Sequence, residues 1–424
     1  MSDRTSVELF AGGGGLAMAV HHVGFRPLLV NEFARHACNT LELNGAKLRG
    51  EDEWIPEEGE KAWPLVPGDV QELDLNYLRG KVDLIAGGPP CQPFSLGGVA
   101  KGDEDKRNMF PEMFRAIREI QPKAVICENV RGLLRPSFLP YFQYILRELE
   151  LPFLQRDPES SWEVHDKALR EADKTAIPPD QRYDVVMTPV NAADYGVPQV
   201  RQRVIIVAFR ADLGVDLGDF RKLVEPTHSE AALHRSIRDG SYWARHSKVE
   251  QHVRDRVESA IPAVIPDDDL LPWRTLRDAL VGEKKTDKLP LIDWNLLDRR
   301  TEQGGVTDHI GWPDARIYAG HTPNMLDRPA KTVKAGVHGV PGGESVMLTD
   351  DREPDPTDPT GWRYRHRYMT VREAARVMTF PDSWKLSGPR GEKMRQLGNA
   401  VPVRLGEVFA QAVAKCLDKV ESAG

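Results

Sequence analysis

Cys91 lies in the run Val82-Asp83-Leu84-Ile85-Ala86-Gly87-Gly88-Pro89-Pro90-Cys91-Gln92-Pro93-Phe94-Ser95. An apolar strand leads into two glycines, two prolines and a thiol. Proline fixes φ and pushes the residue before it out of the helical region. The thiol is thereby held on stiff backbone at the end of a strand, where open α/β sheets bind ligands. A structural cysteine is a small buried hydrophobe and needs no such scaffold, so the context favours a nucleophile. Glu128, after the apolar Val125-Ile126-Cys127, is the second candidate. A carboxylate at the end of a buried strand is costly unless paired or protonated. Beside a reacting base it could serve as a proton donor. The third candidate is Gln199-Val200-Arg201-Gln202-Arg203, whose period-two alternation puts Gln199, Arg201 and Arg203 on one face. One guanidinium there could hold a carbonyl oxygen or a phosphate, and another could fix Glu128; the bland alternative is plain surface charge.

A separate signal concerns a cofactor. Phe10-Ala11-Gly12-Gly13-Gly14-Gly15 follows a short strand and precedes an apolar helical stretch. Glycines at that turn permit close backbone approach to a ligand. Glu32 follows Phe10 by 22 residues, near the spacing at which an acidic residue meets ribose hydroxyls. Sites for NAD, FAD and S-adenosylmethionine share this plan. Asp69, after Leu65-Val66-Pro67-Gly68, could receive an adenine amino group or could simply cap a turn.

The elements that must carry these residues recur as strand, turn and helix. Strands are expected at Val7 to Phe10, Pro27 to Val30, Leu65 to Val70, Val82 to Ala86, Ala124 to Cys127, Tyr183 to Pro189 and Arg203 to Phe209, with a helix from Phe33 to Leu43. Short apolar strands alternating with helices imply an α/β fold with a doubly wound, mostly parallel sheet. In such a sheet the strands ending near Cys91 and Glu128 should be neighbours. From about Arg210 to His366 the rhythm disappears, which points to a smaller, irregular second domain. Eight of the twelve histidines fall there without metal-ligand spacing, and no metal is expected. Asp350 to Pro359 reads as a solvated acidic connector. Helices return near Thr370 to Arg376 and from Val403 to Leu417. The expected division is 1–209 as one domain, completed by 386–424, with 210–385 as the smaller domain and hinge.

The bulk composition fits a water-soluble chain. Of 424 residues, 29% are charged and 40% hydrophobic, and no run approaches a membrane span. The polar start lacks a signal-peptide apolar region. Four widely separated cysteines suggest free thiols in a reducing cytoplasm. The net charge of −7 argues weakly against a polyanionic partner, yet from Gln199 to Arg256 eleven Lys+Arg face eight Asp+Glu. Local sign decides where a polyanion docks.

These motifs, in this order, resemble those of the DNA cytosine-5 methyltransferases of bacterial type, from restriction-modification systems or free-standing. The resemblance covers nearly all of the first ~209 residues and the last ~60. Phe10 to Gly15 looks like the cofactor loop, Gly88 to Ser95 the nucleophile motif, Glu128-Asn129-Val130 the acid motif and Gln199 to Arg203 the arginine motif. Arg372-Glu373-Ala374-Ala375-Arg376 with Phe380-Pro381 resembles the packing motif that links the domains. Gln396-Leu397-Gly398-Asn399-Ala400-Val401-Pro402 resembles the last motif, which completes the cofactor site.

The resemblance implies a Rossmann-like fold binding S-adenosyl-L-methionine and releasing S-adenosyl-L-homocysteine. Phe10, Gly12, Gly14, Glu32, Asp69, Pro90 and Asn399 are the implied cofactor residues. It implies that the Cys91 thiolate adds to C6 of a flipped-out cytosine while Glu128 serves N3. Arg203 would hold O2 and Glu128, with Arg201 organising the site. The segment from Ser95 to Arg107 fits a mobile catalytic loop, with Ser95 and Arg107 making DNA contacts on closure. Gln199 joins the implied DNA-binding set. The smaller domain would recognise the target, and its most suggestive stretch runs from Arg328 to Gly343. There Lys331, Thr332 and Lys334 are candidate DNA contacts, with Thr332 and Lys334 on one side. The implied partner is double-stranded DNA, with a restriction endonuclease acting on the same site as a further partner; the enzyme is expected to be a cytoplasmic monomer with no membrane association. Competing readings are a cytosine-5 methyltransferase acting on transfer RNA, a catalytically dead DNA-binding protein and a dinucleotide oxidoreductase. The last leaves Pro89-Pro90-Cys91 unexplained, and intact Cys91, Glu128 and Arg203 oppose the dead protein.

Overall fold

The computed structural model describes residues 4–49, 55–56, 62–90, 108–282, 288–317, 322–335 and 345–423. Cys91, Ser95 and Arg107 therefore lie outside the described residues. The chain divides into two compact units. One comprises 1–190, 202–225 and 406–424; the other comprises 191–201 and 226–405. By this division 210–225 belongs with the first unit and 386–405 with the second, whereas the sequence rhythm suggested boundaries at 209 and 386.

The first unit is built on one sheet. Its strands are β1 (Thr5–Leu9), β2 (Arg26–Glu32), β3 (Lys47–Leu48), β4 (Pro64–Pro67), β5 (Leu84–Gly87), β6 (Ala124–Val130), β7 (Tyr183–Asn191) and β8 (Gln202–Arg210). Their order is β3-β4-β2-β1-β5-β6-β8-β7. The chain winds from β1 outward in one direction, returns to β5 and winds outward in the other. That reversal leaves a switch point between β1 and β5, where open sheets of this kind bind ligands. The pairs from β3 to β6 are parallel, and β8 runs antiparallel to β6. The central strands β1, β5 and β6 are buried almost along their whole length because both faces are covered. The two-residue β3 is too short for periodicity to announce it.

Helices α1 (Gly15–His22), α2 (Arg35–Leu43), α3 (Phe110–Ile120), α4 (Leu139–Glu150), α5 (Trp162–Glu171) and α6 (Leu217–Leu223) accompany the sheet. In α3, Phe110, Met113, Phe114, Ile117 and Ile120 recur at helical spacing and form one apolar face. With Phe142, Ile145 and Leu149 of α4 they cover Val7, Leu9, Ile85, Val125, Cys127 and Ile206. Phe209 of β8, Phe220 of α6 and Phe409 of the C-terminal helix (Val403–Ala423) make a chain of ring contacts. Arg4 ties the first strand to that helix through Asp418 (2.6 Å) and Glu421 (2.9 Å). No described helix is long and apolar enough to cross a membrane.

The second unit is more ordered than its sequence suggested. Short helices occupy Glu230–Arg238, Ser241–Arg245, Gln251–Ser259 and Leu276–Val281, and a hairpin pairs Val346–Pro354 with Trp362–Tyr368. The expected acidic connector is corrected here: its first five residues continue a strand. Asp350 is drawn in because Arg277 donates two hydrogen bonds to it (2.6 and 2.9 Å) and two more to the buried Asp327 (2.5 and 2.8 Å). Charge pairing across the fold is invisible to local composition. Helix Val371–Val377 starts with a capping box between Thr370 and Glu373, and helix Arg390–Asn399 packs on it.

Gly87 pairs with Leu9 across the switch point, and a Cβ there would lie 2.8 Å from the Leu9 carbonyl oxygen. Backbone must move to admit any side chain. We expect Gly87→Ala to cost about 1–3 kcal/mol, the usual penalty of overpacking, read as a lower urea midpoint at unchanged slope.

Candidate active site

Beyond β5 the chain continues as Gly88-Pro89-Pro90, and neighbouring groups pin both prolines. Asn129 donates from Nδ2 to the Pro89 carbonyl (3.0 Å), and the Met109 amide donates to the Pro90 carbonyl (3.1 Å). The backbone that presents Cys91 is thus anchored on each side of the turn. Asn129 belongs to the acid motif, yet the sequence reading assigned it no role. Its signal was an amide side chain directly after a strand-end glutamate.

Glu128 stands one residue past the Gly87–Cys127 register pair, at the level of Gly88. Arg203 Nε lies 2.7 Å from Glu128 Oε1 as an ion pair, without the alignment of a hydrogen bond. The register explains the meeting. Val130 is opposite Arg203 and Glu128 opposite Ile205, so Glu128 and Arg203 are diagonal neighbours on one face of an antiparallel pair. The other oxygen, Oε2, lies 3.6 Å from where a Cβ of Gly88 would stand. The side chains are only 13% and 10% exposed, so either charge left alone would be expensive. Adjacent β5 and β6, and Glu128 with Arg203, are therefore brought together as the sequence predicted.

Arg201 does something different. Its guanidinium donates to the carbonyls of Val333 (3.0 Å), Gly398 (2.8 Å) and Ala400 (2.9 Å), and the residue is 1% exposed. It organises backbone and does not share a task with Arg203. Gln199, expected at the DNA, is fully buried: Oε1 accepts from the Val333 amide (3.1 Å) and Nε2 contacts Met378 Sδ (2.9 Å). Both ends of its amide are used inside the protein. Thr332 spends its hydroxyl on the Val200 carbonyl (2.8 Å), and Lys331 Nζ donates to the Thr322 carbonyl (2.7 Å). Lys334 is exposed. Gly398 has its own reason to be glycine, since a Cβ would come within 2.2 Å of the Ala335 amide nitrogen.

The cofactor candidates of the first unit gather at the switch point. Phe10 and Gly12 hold left-handed conformations, φ 57° and 56°, and Gly14 is at φ 91°. For a phenylalanine this is a strained state of the kind found at ligand sites. Glu32 Oε2 accepts from the Gly12 amide (2.6 Å) and Oε1 from the Ala34 amide (2.7 Å). The carboxylate thus clamps the glycine turn to the end of β2. Burial pushes the Glu32 carboxyl up, and amide donors at Ala34, Gly12 and Phe33 pull against it. Asn31 bridges the carbonyls of Val66 and Gly68 (3.0 and 3.1 Å), which sets Asp69 beside β2. One Asp69 oxygen caps the Gln71 amide at 3.0 Å, so its capping role is real and its second oxygen is left over. An adenosine cofactor fits this donor set. It offers a turn with open space at Gly12, a rigid carboxylate for ribose hydroxyls and a second carboxylate for the base. Pro90 and Asn399 are exposed.

Three other cysteines provide a contrast. Cys38, Cys127 and Cys416 are buried free thiols, pushed by burial to about 11, about 12 and about 11 respectively. Burial disfavours the thiolate in all three.

Sheet and switch point define a Rossmann-like fold, and the family match makes it a methyltransferase that uses S-adenosylmethionine. The chain belongs to the C-5 cytosine-specific DNA methylase family, whose family model matches residues 4–151 and 179–415. It is a DNA cytosine-5 methyltransferase. Type II methyltransferase M.Eco47II of Escherichia coli is 31% identical over 98% of this chain and 80% of its own length. M.PspPI of Psychrobacter sp. is 28% identical over 97% and 79%. Among solved structures, a prophage-encoded DNA modification methyltransferase of E. coli matches with TM-score 0.53 at 19% identity, covering 98% and 100% of the two chains. The Dnmt2 methyltransferase of S. pombe matches with TM-score 0.51 at 14% identity, covering 98% and 99%. These last two speak for the fold alone.

Glu8, two positions along β1 from Phe10, shares the sheet face of Glu128, because Glu8, Ala86 and Ile126 are in register. It is 2% exposed, and burial raises its carboxyl well above the ordinary value of 4.5, with the Ser6 side chain acting oppositely. A raised folded-state pKa gives stability that is complete below the unfolded value and is lost as pH rises. Unfolding free energy should therefore fall as pH climbs above about 4.5, and Glu8→Gln should reduce that slope by up to about 1.4 kcal/mol per pH unit. Denaturant titrations at pH 5 and 8 check this; parallel pH profiles for both proteins would refute it.

Proposed function

We propose that the enzyme methylates C5 of a cytosine flipped out of a specific duplex DNA sequence, through a covalent adduct between Cys91 and C6. The observation that carries this is the Glu128–Arg203 pair at the level of Gly88, next to the anchored prolines that lead to Cys91. Cytosine C5 is a poor nucleophile. Addition of the Cys91 thiolate to C6 makes the ring enamine-like and divides one hard step into easier ones. Glu128 donates a proton or hydrogen bond to N3 as negative charge reaches the ring. Arg203 keeps that carboxyl in place and offers its remaining N–H groups to O2. S-adenosyl-L-methionine, held at the glycine turn beside Glu32, would supply the methyl group for C5, leaving S-adenosyl-L-homocysteine as product. Loss of the C5 proton then expels the thiolate. The target carbon is out of reach in a stacked duplex, so the base must leave the helix.

The cofactor is held by Phe10, Gly12, Gly14, Glu32 and Asp69, with Pro90 and Asn399 assigned by family resemblance. Ser95, Arg107, Lys331, Thr332 and Lys334 are assigned to DNA in the same way. The Thr332 hydroxyl and the Gln199 amide are engaged on protein backbone, and Lys334 is exposed. The similar Type II enzymes support a place in bacterial restriction-modification, alongside an endonuclease acting on the same sequence. We also propose a monomer working in the cytoplasm, its catalytic domain completed by the C-terminal segment and its target domain in the second unit.

Cys91→Ser should retain DNA binding and lose turnover by on the order of 10³-fold or more, measured with labelled cofactor on duplex DNA and, side by side, on transfer RNA. Methyl transfer to transfer RNA in preference to duplex DNA would reverse the substrate assignment. Glu128→Gln should lose about 10²–10⁴-fold, the usual share of a general acid. Duplex DNA containing 5-fluorocytosine should trap an adduct mapped by mass spectrometry to Cys91, since C5 can no longer lose a proton. An adduct at any other residue would overturn the nucleophile.

A further inference from the structure

In the second unit two guanidinium groups converge on one indole ring with no carboxylate beside them. Arg300 lies 4.3 Å and Arg390 5.2 Å from the centroid of Trp312, and Arg390 is also 5.7 Å from the Tyr368 ring. Among the described residues, neither guanidinium has an ion-pair partner; the one hydrogen bond from the Arg390 guanidinium goes to the Met369 carbonyl (3.3 Å). Their neighbours differ. Arg277 meets Asp327 and Asp350, Arg363 and Arg365 meet Glu353, Arg367 meets Glu373, Arg376 meets Asp382, and Lys393 meets Asp308. Carboxylate partners are common in this part of the unit, and these two arginines have none among the described residues.

The positions are also costly and rigid. Arg390 is the first residue of its helix, where the macrodipole already repels a cation and unpaired amides add positive potential. Arg300 sits in a left-handed conformation, φ 49°, at the end of the turn Trp294–Arg299. The Trp312 loop is packed down hard. A Cβ on Gly311 would come within 2.6 Å of Leu297 and 2.8 Å of Ile292, and His309 is bonded to the Pro290 carbonyl (2.8 Å) and Thr370 Oγ1 (3.0 Å). Stacking on an aromatic face holds a guanidinium in place and leaves its edge N–H groups free, the geometry that suits a phosphate. Two cations held on one ring without a counter-ion fit an anion supplied from outside.

We propose that Arg300, Trp312 and Arg390 form a phosphate-binding site for the backbone of duplex DNA, additional to the 328–335 segment. The proposal rests on the reading of this protein as a duplex-DNA enzyme. A backbone contact of this kind positions the protein without reading sequence. It therefore contributes equally to cognate and non-cognate DNA.

The test is binding of a fluorescent mixed-sequence duplex by the full chain across a series of KCl concentrations. Each lost phosphate contact should reduce the slope of log K against log [KCl] by about 0.9, so Arg300→Gln with Arg390→Gln should lose about two. Arg300→Lys with Arg390→Lys should keep the slope, because charge remains. Arg363→Gln, at an arginine already paired with Glu353, should also keep it. A double Gln variant with the wild-type slope and affinity, in a preparation that still methylates DNA, overturns the site and leaves the methyltransferase reading standing. Wild-type protein that neither binds nor methylates duplex DNA overturns both. Should Arg390→Gln fail to fold, Arg300→Gln alone decides, because Arg300 is exposed: an unchanged slope overturns the proposal.

Discussion

A carboxylate held in place at the end of a buried strand is the constraint on which this structure turns. Glu128 is buried near the end of β6, and its charge is tolerable there because Arg203 stands 2.7 Å away. That pairing needs β8 to run antiparallel beside β6, so that the arginine arrives as a diagonal neighbour on the correct face. It also needs β5 on the other side, so that Gly88 and the pinned prolines stop at the same level. The parallel half of the sheet supplies the turn before the thiol, and the one antiparallel strand supplies the cation. Neither alone makes a site.

The cofactor end of the sheet follows the same economy of backbone and carboxylate. Glu32 accepts amide hydrogens from both the glycine turn and the next helix entry, so one side chain sets the shape of the turn and the level at which a ribose could meet it. Asn31 does the equivalent for Asp69 by bridging the end of β4. In the second unit Arg201 plays a comparable part on a larger scale. Three carbonyls from two separate segments converge on its guanidinium, and Gly398 is kept small so that the 334–335 backbone can lie against it. The two arginines of one short motif thus have different tasks: one pairs with a buried carboxylate, the other orders backbone.

Much of this was legible in the chain itself. The apolar runs ending in Gly87-Gly88-Pro89-Pro90 and in Glu128, the glycine turn, and the acidic residue 22 positions after Phe10 mark strand ends and ligand positions by local rules of backbone geometry and burial. Their order along the chain identifies the family and, with it, the cofactor and the reaction. These are short-range features, and residue type and spacing suffice to express them.

Other assignments depended on groups distant in sequence. Period two placed Gln199, Arg201 and Arg203 on one face, but β8 begins only at Gln202, and Gln199 is buried by contacts with Val333 and Met378. The acidic connector at Asp350 became a strand because Arg277, 73 residues away, pairs with it. The second unit looked irregular because its helices are short and its order comes from ion pairs and caps, which leave no periodic trace. The chain alone therefore named the candidate residues for the chemistry and determined roughly where strands end. Only the tertiary structure decided that Gln199 turns inward and that Arg277 draws Asp350 into a strand, since burial and charge pairing are settled by neighbours that the linear order does not name.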